Sequence, residues 1–406
     1  MAGRVLHLLS QRPGWTGSGV ALDAMVRAAG RAGWEQMVVV GASPDMPMPS
    51  VGGLEAARIR PLAFQSEALP FTLPGMSDVM PYPSSRFSDL TSDQLASYRD
   101  AWKKHISQVL ETFRPDVIHS HHVWLMSSVV KDLAPRVPVV THCHGTGLRQ
   151  LALCPHLSST VIAGCARNDV FVALHRGHAK TLGTVLDIPA KRVHVVGSGF
   201  DEAVFHAGAR PANVGPVVTY AGKLSRAKGL PWLLEAVERL GSRVSDLTLH
   251  VAGSGAGEEA DTIQEQMDGA KNIVFHGQLD QSQLADLMRR SAVFVLPSFY
   301  EGLPLVLVEA AACGCRIVAT SLPGVVDPLK RELGDSLELV PLPRLENTDQ
   351  PIADDLPQFV DDLTRAIETS IERPRLDNTH QIVAGMTWDS VFARIETIWR
   401  RVVKFL

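Results

Sequence analysis

The second half of the sequence alternates between short β-rich runs and helix-like stretches, and this alternation constrains the fold most strongly. The β-rich runs lie at residues 217–221, 247–253, 272–277, 292–296 and 316–320. A helix that carries Pro231 in its first turn follows the first run, with leucine and valine at helical spacing on one face. Strands that alternate with helices predict a parallel sheet covered on both faces, and such sheets bind ligands at the carboxyl ends of their strands.

The first half of the sequence repeats this pattern less regularly. Strands are predicted at residues 5–9, 37–41, 116–119, 138–142, 170–174 and 192–196, with a glycine-bearing loop at 10–19 and a helix from about residue 20 to 32. Residues 44–87 are rich in Pro, Met and Phe, and two interpretations stay open: a lid or binding loop, or a segment that covers the sheet edge. At 406 residues we expect two domains, with the boundary in the segment 208–215 and an amphipathic helix at the end.

Composition limits the partners and the compartment. The net charge of −4 gives no basic surface of the kind that nucleic acid requires, so we predict no nucleic-acid partner. The five cysteines are odd in number and lack metal-type spacing, so we expect reduced thiols in a cytoplasmic protein. The N-terminal apolar run is too short for a signal peptide, and no run reaches the roughly 20 residues that span a bilayer. With no integral membrane segment expected, a membrane-associated acceptor would be met at the membrane surface.

The segment 297–309, PSFYEGLPLVLVE, carries the clearest chemical signal. It follows a predicted strand, turns through a glycine and a proline, and opens an apolar helix. Free backbone N–H groups and the positive end of the helix dipole therefore face one spot, which suits a diphosphate. The carboxylates of Glu301 and Glu309 can accept hydrogen bonds from sugar hydroxyls. The pattern therefore predicts a nucleotide-sugar site.

Several motifs, in a fixed order, resemble those of one enzyme family. They are VVTHCHGTG at 139–147, VVGSGFD at 195–201, AGKLSRAKG at 221–229 and SFYEGLPLVLVEAAACGCRIVAT at 298–320. Together with the terminal helix, they make the chain resemble the retaining glycosyltransferases of family 4, which have the GT-B fold. The resemblance implies an α/β protein of two Rossmann-like doubly wound domains facing each other across a cleft. Residues 1–207 would bind the acceptor and residues 208–385 the nucleotide sugar, and a helix at 386–406 would cross back to the first domain.

The resemblance also implies roles for residues of the second domain. Lys223 and Lys228 would bind the donor diphosphate. Glu301 would lie near the donor sugar, and Glu309 would accept hydrogen bonds from the ribose. Further donor-binding positions would be Gly222, Gly302, Leu303 and Leu305. The chain departs from the family at Lys223, where arginine is usual, and lysine lacks the bidentate fork of arginine.

In the first domain, the resemblance places His144 opposite the donor sugar. The turn of Gly17, Ser18 and Gly19 would lie beneath the donor phosphate and the acceptor, and Arg149 is a candidate for binding an acidic group of the acceptor. Five histidines raise the alternative of a metal site, namely those at positions 119, 121, 122, 142 and 144. Two lysines at the diphosphate make a catalytic metal unnecessary, so we predict no metal and no other cofactor.

The expected function is retaining transfer of a hexosyl-type sugar from a nucleoside-diphosphate sugar, UDP first and GDP next. The acceptor would be a small molecule, a glycan or a lipid-linked sugar, and Ser198, where asparagine is usual, leaves room for an unusual donor. Asp327, where glutamate is more usual, matters less. Alternatives are a nucleotide-sugar epimerase or a phosphorylase on the same architecture, a two-domain binding protein without chemistry, and a dinucleotide dehydrogenase. The dehydrogenase fingerprint is broken because Leu22 stands where its third glycine would be.

Overall fold

The computed structural model describes residues 3–14, 16–77, 80–208, 215–374 and 379–404. The chain divides into two compact units, of which the first comprises Met1–Ser198 and Trp388–Leu406 and the second Gly199–Thr387. Most of the predicted linker segment lies outside the described residues. The domain boundary after residue 207 therefore stays a prediction.

The first unit is built on a parallel sheet of seven strands within the described residues. The strands are β1 (Arg4–Leu9), β2 (Glu35–Ala42), β3 (Ile59–Ala63), β4 (Val117–His121), β5 (Val139–His142), β6 (Val170–Ala173) and β7 (Val193–Val195). Their order is β3-β2-β1-β4-β5-β6-β7, and every neighbouring pair is parallel. Strands β1, β4 and β5 are almost completely buried, as expected for a sheet covered on both faces.

Helices connect most of these strands. They are α1 (Gly17–Arg31), α2 (Ser92–Phe113), α3 (Ser127–Leu133), α4 (Thr146–Leu153), α5 (Pro155–Cys165) and α6 (Arg176–Leu186). Helix α2 begins with a capping box, in which Thr91 and Gln94 each bind the backbone of the other through their side chains. On its buried face, Tyr98 and Trp102 pack against Phe64 in an aromatic cluster.

The segment 44–87 is more regular than the sequence indicated. It contains the edge strand β3, which pairs with β2 and which the sequence prediction missed. Pro61 lies inside this strand, and an edge strand tolerates proline because one of its sides needs no ladder hydrogen bonds. The large side chains of Phe64, Leu69 and Phe71 are buried in the core of the first unit. The segment therefore covers the sheet, in agreement with one of the two interpretations.

The second unit repeats the arrangement with six strands in its described part. The strands are β8 (Val217–Ala221), β9 (Thr248–Ala252), β10 (Ile273–Phe275), β11 (Val293–Leu296), β12 (Arg316–Thr320) and β13 (Leu337–Val340). Their order is β10-β9-β8-β11-β12-β13, again with parallel neighbours. The sequence located the first five strands but ended the series at residue 320, so β13 was missed. This strand is short and contains Glu338, which interrupts its apolar pattern.

Helices of the second unit follow its strands, and one further helix returns to the first unit. Those of the second unit are α7 (Leu230–Gly241), α8 (Glu258–Asp268), α9 (Gln281–Arg289), α10 (Leu305–Ala312), α11 (Pro323–Leu333), α12 (Leu356–Glu372) and α13 (Thr379–Val383). Helix α14 (Trp388–Lys404) belongs to the first unit, where Trp399 is fully buried against β4 and an Arg31–Asp389 ion pair links it to α1. In the described part of the chain, no helix is both long and apolar enough to cross a membrane. All five cysteines are buried free thiols.

Both sheets have a topological switch point, where the strand order reverses. It lies between β1 and β4 in the first unit and between β8 and β11 in the second. At such a point the loops after the two neighbouring strands diverge and leave a crevice, which is where doubly wound sheets bind their ligands. The loops after these four strands contain most of the candidate residues, so each switch point is a candidate site.

Candidate active site

Lys228 and Glu301 form an ion pair at the β8/β11 switch point. Lys228 closes a 3₁₀ turn after β8, and Glu301 lies in the loop after β11. Lys228 Nζ is 2.6 Å from Glu301 Oε1, and the two side chains are 25% and 14% exposed. A 3.0 Å hydrogen bond from the N–H of Phe299 to the carbonyl of Ala227 joins the same two loops. Two residues predicted for the diphosphate and the sugar therefore meet in one place.

Two glycines let the loops of this site approach each other backbone to backbone. A Cβ atom on Gly229 would lie 2.0 Å from the carbonyl oxygen of Pro297, and one on Gly324 would lie 2.1 Å from that of Gly302. Gly229 also has a φ of 72°, in the left-handed region that favours glycine. Because any larger residue would push the loops apart, the shape of the site depends on these two glycines.

Glu309 lies in the second turn of α10, which begins at Leu305. The N–H groups in the first turn of a helix lack acceptors within the helix, so this end of α10 attracts negative charge. The Glu309 side chain is half-buried, with the buried residues Val308 and Ala310 on either side of it in the sequence. Burial raises the pKa of Glu309 to about 7. Near neutral pH the carboxyl group is thus divided between its two forms, and hydrogen-bond donors such as ribose hydroxyls would favour the ionised one.

Most other predicted residues of the second unit lie in the same two loops, and Leu305 is the first residue of α10. Lys223 is exposed, and its backbone carbonyl accepts a 2.7 Å hydrogen bond from the hydroxyl of Tyr220. The N–H of Gly222 donates to the carbonyl of Ala252 at 3.0 Å. That N–H is therefore already engaged, and the role of Gly222 in binding the donor stays a prediction. Leu303 is half-buried in the loop just before α10.

The glycine turn of the first unit is part of a helix rather than of a loop. Helix α1 begins at Gly17, and the hydroxyl of Thr16 caps it by accepting from the N–H of Gly19 at 3.2 Å. The predicted loop at 10–19 followed by a helix from about residue 20 was therefore wrong, because the capping threonine starts the helix earlier. A Cβ atom on Gly19 would lie 2.5 Å from the backbone nitrogen of Gly14, so glycine is required there. Gly17, Ser18 and Gly19 form the first turn of α1.

A hydrogen-bond network spans the β1/β4 switch point. The amide oxygen of Gln11 accepts from the hydroxyl of Ser18 and from Nε2 of His122, each at 3.0 Å. Since an amide oxygen only accepts, His122 carries its proton on Nε2, and its Nδ1 accepts from the hydroxyl of Thr146 at 3.1 Å. Gln11 and Thr146 were not among the predicted residues, because a lone glutamine or threonine has no distinctive pattern in the sequence. The network fixes the glycine turn relative to the loop that carries His144.

His144 follows β5 and is held by other histidines. Its Nε2 lies 2.8 Å from Nδ1 of His121, and its ring stacks on that of His142 at a centroid distance of 4.2 Å. Burial and the neighbouring histidines hold the pKa of His144 well below its usual range, so the ring is neutral at physiological pH. Arg149 lies further along, on α4, with a half-buried side chain and its N–H bonded to the carbonyl of Gly145 at 3.2 Å.

The histidines of β4 and β5 form a hydrogen-bonded chain that begins at helix α14. Nitrogens of His119, His121 and His142 lie within 4.8 Å of one another, as metal ligands would. The indole N–H of Trp399 donates to Nδ1 of His119 at 3.0 Å, so the proton of His119 must be on Nε2. That nitrogen faces Nδ1 of His142 at 3.4 Å. Because a metal ligand must be an unprotonated nitrogen, Trp399 opposes metal binding through the Nε2 of His119.

Two family models match the chain and together cover both units. The model described as Glycosyltransferase Family 4 matches residues 15–204, and the model described as Glycosyl transferases group 1 matches residues 215–341. The chain belongs to this family of glycosyltransferases, which confirms the resemblance inferred from its motifs.

Curated relatives support the same assignment, and a solved structure supports the fold. Glycogen synthase of Mycobacterium tuberculosis is 28% identical over 224 residues, or 53% of this chain and 54% of that protein. D-inositol 3-phosphate glycosyltransferase of Xylanimonas cellulosilytica is 30% identical over 239 residues, or 52% of this chain and 56% of that protein. The match thus spans about half the length of these curated relatives. Sucrose-phosphate synthase from Thermosynechococcus elongatus has a TM-score of 0.69 at 16% identity, with 100% of both chains covered, which confirms the predicted GT-B fold.

Proposed function

We propose that the chain transfers a sugar from a nucleoside-diphosphate sugar to an acceptor, with retention of anomeric configuration and without a metal ion. The observation that carries this proposal is the Lys228–Glu301 pair at the β8/β11 switch point, on the loop that leads into α10 and Glu309. A cation, two carboxyl groups and a helix N-terminus are collected where a doubly wound sheet binds its ligands. These groups match a diphosphate, a sugar and a ribose.

In this proposal the diphosphate takes Lys228 away from Glu301. Lys228 and Lys223 stabilise the charge that develops on the leaving nucleoside diphosphate, aided by the N–H groups at the start of α10. Glu301, released from its ion pair, accepts hydrogen bonds from the donor sugar. Glu309 accepts hydrogen bonds from the ribose and is ionised when the nucleotide is bound.

Retention is proposed to proceed on the face from which the phosphate leaves. The bond from the anomeric carbon to the phosphate oxygen breaks, the acceptor oxygen bonds to the same face, and the departing phosphate takes the acceptor proton. His144 enters as a neutral hydrogen-bonding group, since its pKa is held low. We propose UDP as the nucleotide to test first and GDP next. The proposed acceptor is a small molecule, a glycan or a lipid-linked sugar.

Metal independence is supported by the hydrogen bonds of the histidine chain. Trp399 keeps His119 in the tautomer that turns a protonated nitrogen towards His142. The charge on the diphosphate is met instead by Lys223 and Lys228. We therefore propose that the histidines position His144 and its loop and do not hold a metal.

The first test is a thermal-shift titration of the full chain with UDP, GDP, ADP and CMP, with NAD as the control. A ligand that binds the native state raises the melting temperature by mass action. A saturable shift with one nucleoside diphosphate is expected, and its sugar conjugates then serve as donors in an acceptor screen. A shift with NAD alone would contradict the proposal. Interconversion of the bound sugar without any acceptor would favour a nucleotide-sugar epimerase.

Variants then connect the binding to the proposed residues. We expect Lys228→Ala to lose transfer while its circular dichroism spectrum stays that of the wild type. Lys271→Ala is the matched control, because it removes an exposed lysine just before β10, at the opposite ends of the strands. Equal loss of activity in both variants would show that charge in general, and not this site, supports the reaction.

A further inference from the structure

Histidines of β4 and β5 occupy one face of the sheet of the first unit. In the register of the two strands, His121 lies beside His142. Alternate residues of a strand point to the same face, so His119 and His121 share a face of β4. Trp399 of helix α14 is fully buried on this face, and its ring centroid is 5.4 Å from that of His119. Helix α14 therefore packs directly on the strands that lead to His144.

The indole N–H of Trp399 decides which ring nitrogens of the histidine chain carry protons. Burial holds the pKa of His119 well below its usual range, so the ring is neutral and has a single N–H. The 3.0 Å bond from Trp399 makes Nδ1 of His119 an acceptor, which leaves the proton on Nε2. This Nε2 faces Nδ1 of His142 at 3.4 Å and donates to it, so His142 carries its own proton on Nε2. One donor thus fixes the tautomers of two buried histidines.

Two histidines hold the ring of His144. His142 stacks on it, with the ring centroids 4.2 Å apart and the ring planes inclined by 17°. His121 lies at its edge, with Nδ1 of His121 2.8 Å from Nε2 of His144 and the two planes inclined by only 4°. The direction in which His144 presents its other nitrogen, Nδ1, therefore depends on the placement of these two rings.

Without the indole N–H, the tautomer of His119 would no longer be fixed. With the proton on Nδ1 of His119, two lone pairs would face each other across the 3.4 Å between His119 and His142, unless His142 also changed its tautomer or turned. Two arrangements of similar energy would then coexist, and only one of them keeps His142 stacked on His144 as observed. A group that selects one arrangement before the ligand binds preorganises the site.

We infer that Trp399 is a positioning residue for the proposed sugar transfer, because its indole N–H, acting through His119 and His142, holds the ring of His144 in one orientation. The inference rests on the proposed function, and it adds a residue of α14 to the groups that support the reaction. In the proposed function the nucleotide is bound by groups of the second unit, such as Lys228. The loss of Trp399 should therefore lower the rate of transfer and leave nucleotide affinity unchanged.

The test compares Trp399→Phe with Trp34→Phe as the matched control. Trp34 packs against Trp399 with ring centroids 5.2 Å apart, and its indole N–H donates to Glu396 of α14 at 3.0 Å. Its replacement thus removes the same side-chain volume and one hydrogen bond from the same aromatic cluster, without touching the histidine chain.

The rate is measured as release of UDP from UDP-glucose, with water or an acceptor from the screen. We expect kcat to fall about two- to tenfold in Trp399→Phe, as for the loss of one neutral hydrogen bond, with the KM for UDP-glucose and the affinity for UDP unchanged. Trp34→Phe should keep the kcat of the wild type. Equal kcat in the two variants would overturn the inference.

A double-mutant cycle separates positioning of His144 from general damage to the fold. If Trp399 acts through His144, Trp399→Phe should have no further effect on kcat once His144→Ala is present. The same proportional loss in both backgrounds would overturn the inference, because a purely structural role for Trp399 does not depend on His144.

A measurement on the wild-type chain does not depend on the folding of any variant. Nitrogen-15 NMR of the chain labelled in tryptophan and histidine should show one indole nitrogen coupled across a hydrogen bond to an unprotonated Nδ1, in a ring protonated on Nε2. The absence of such a pair would overturn the inference. Failure of the wild type to bind any nucleoside diphosphate would refute the proposed function, and the inference with it, whatever the tautomer of His119.

Discussion

Replacing Glu309 by glutamine should stabilise the protein at alkaline pH and weaken its nucleotide binding. Burial raises the pKa of Glu309 to about 7 from the value of 4.5 expected for a solvated glutamate. The folded state therefore binds this proton more tightly than the unfolded state does. The resulting stability is present below pH 4.5 and is lost as the pH rises through 7. Glutamine resembles the protonated carboxyl group and carries no such pH dependence.

The size of the effect follows from the shift in pKa. A difference of this size corresponds to at most about 3 kcal/mol of stability at pH 8, and the partial exposure of the side chain reduces it further. We expect Glu309→Gln and the wild type to unfold alike at pH 4.5 and to diverge progressively up to pH 8, with the variant the more stable. Thermal and urea unfolding at several pH values, followed through the transition of the second unit, measure this difference.

Nucleotide affinity should change in the opposite sense. If the ribose hydroxyls donate to the ionised form of Glu309, UDP affinity at pH 6 should be roughly tenfold below its alkaline plateau, since about a tenth of the carboxyl groups are then ionised. Glu309→Gln should bind UDP weakly at every pH, and its residual pH dependence reports the ionisation of the UDP phosphate. Equal unfolding free energies at pH 8, together with unchanged UDP affinity, would refute the assignment of Glu309 to the ribose.

Three further predictions concern the loops of the second unit and the metal question. Glu301→Gln frees Lys228 for the diphosphate, so UDP should bind several-fold more tightly while transfer falls. Calorimetry measures the first effect and a rate assay the second, and weaker UDP binding or unchanged transfer would contradict the prediction. Gly324→Ala places a Cβ atom 2.1 Å from the carbonyl of Gly302 and should cost about 1–3 kcal/mol in urea unfolding, whereas Gly385→Ala, with open space at its Cβ, should cost far less. Transfer should survive EDTA, and a loss restored by zinc would return the histidine chain to consideration as a metal site.

The alternation of strands and helices, which is long and strongly periodic, predicted the two doubly wound sheets. It missed β3 because Arg60 and Pro61 interrupt the apolar run, and β13 because Glu338 interrupts a strand of only four residues. It also placed the start of α1 several residues late, because the effect of Thr16 is exerted through a single side-chain hydrogen bond. The intrinsic propensities of single residues carry no information on such contacts.

The site could be predicted where one short segment contains both ligand-binding groups and the turn that presents them. The segment around Glu301 and Glu309 is of this kind. The Lys228–Glu301 pair joins residues 73 positions apart, and the bond from His122 to Gln11 joins residues 111 apart, so neither is visible without the fold. The burial of Arg12 was not predicted for a related reason: an arginine in a loop is ordinarily exposed, and its burial follows from the packing of the segment 44–87.

The two switch points are closed by different kinds of contact, and this difference bears on how each would bind a ligand. In the second unit the loops are joined by an ion pair, so a dianionic ligand can replace Glu301 as the partner of Lys228, and the released carboxylate then needs hydrogen bonds from the donor sugar. In the first unit Gln11, Ser18 and His122 are joined by neutral hydrogen bonds that an anion has no reason to break. The second unit is thus suited to a site whose own carboxylate is exchanged for the phosphates of the donor, whereas the first unit keeps its loops in one arrangement.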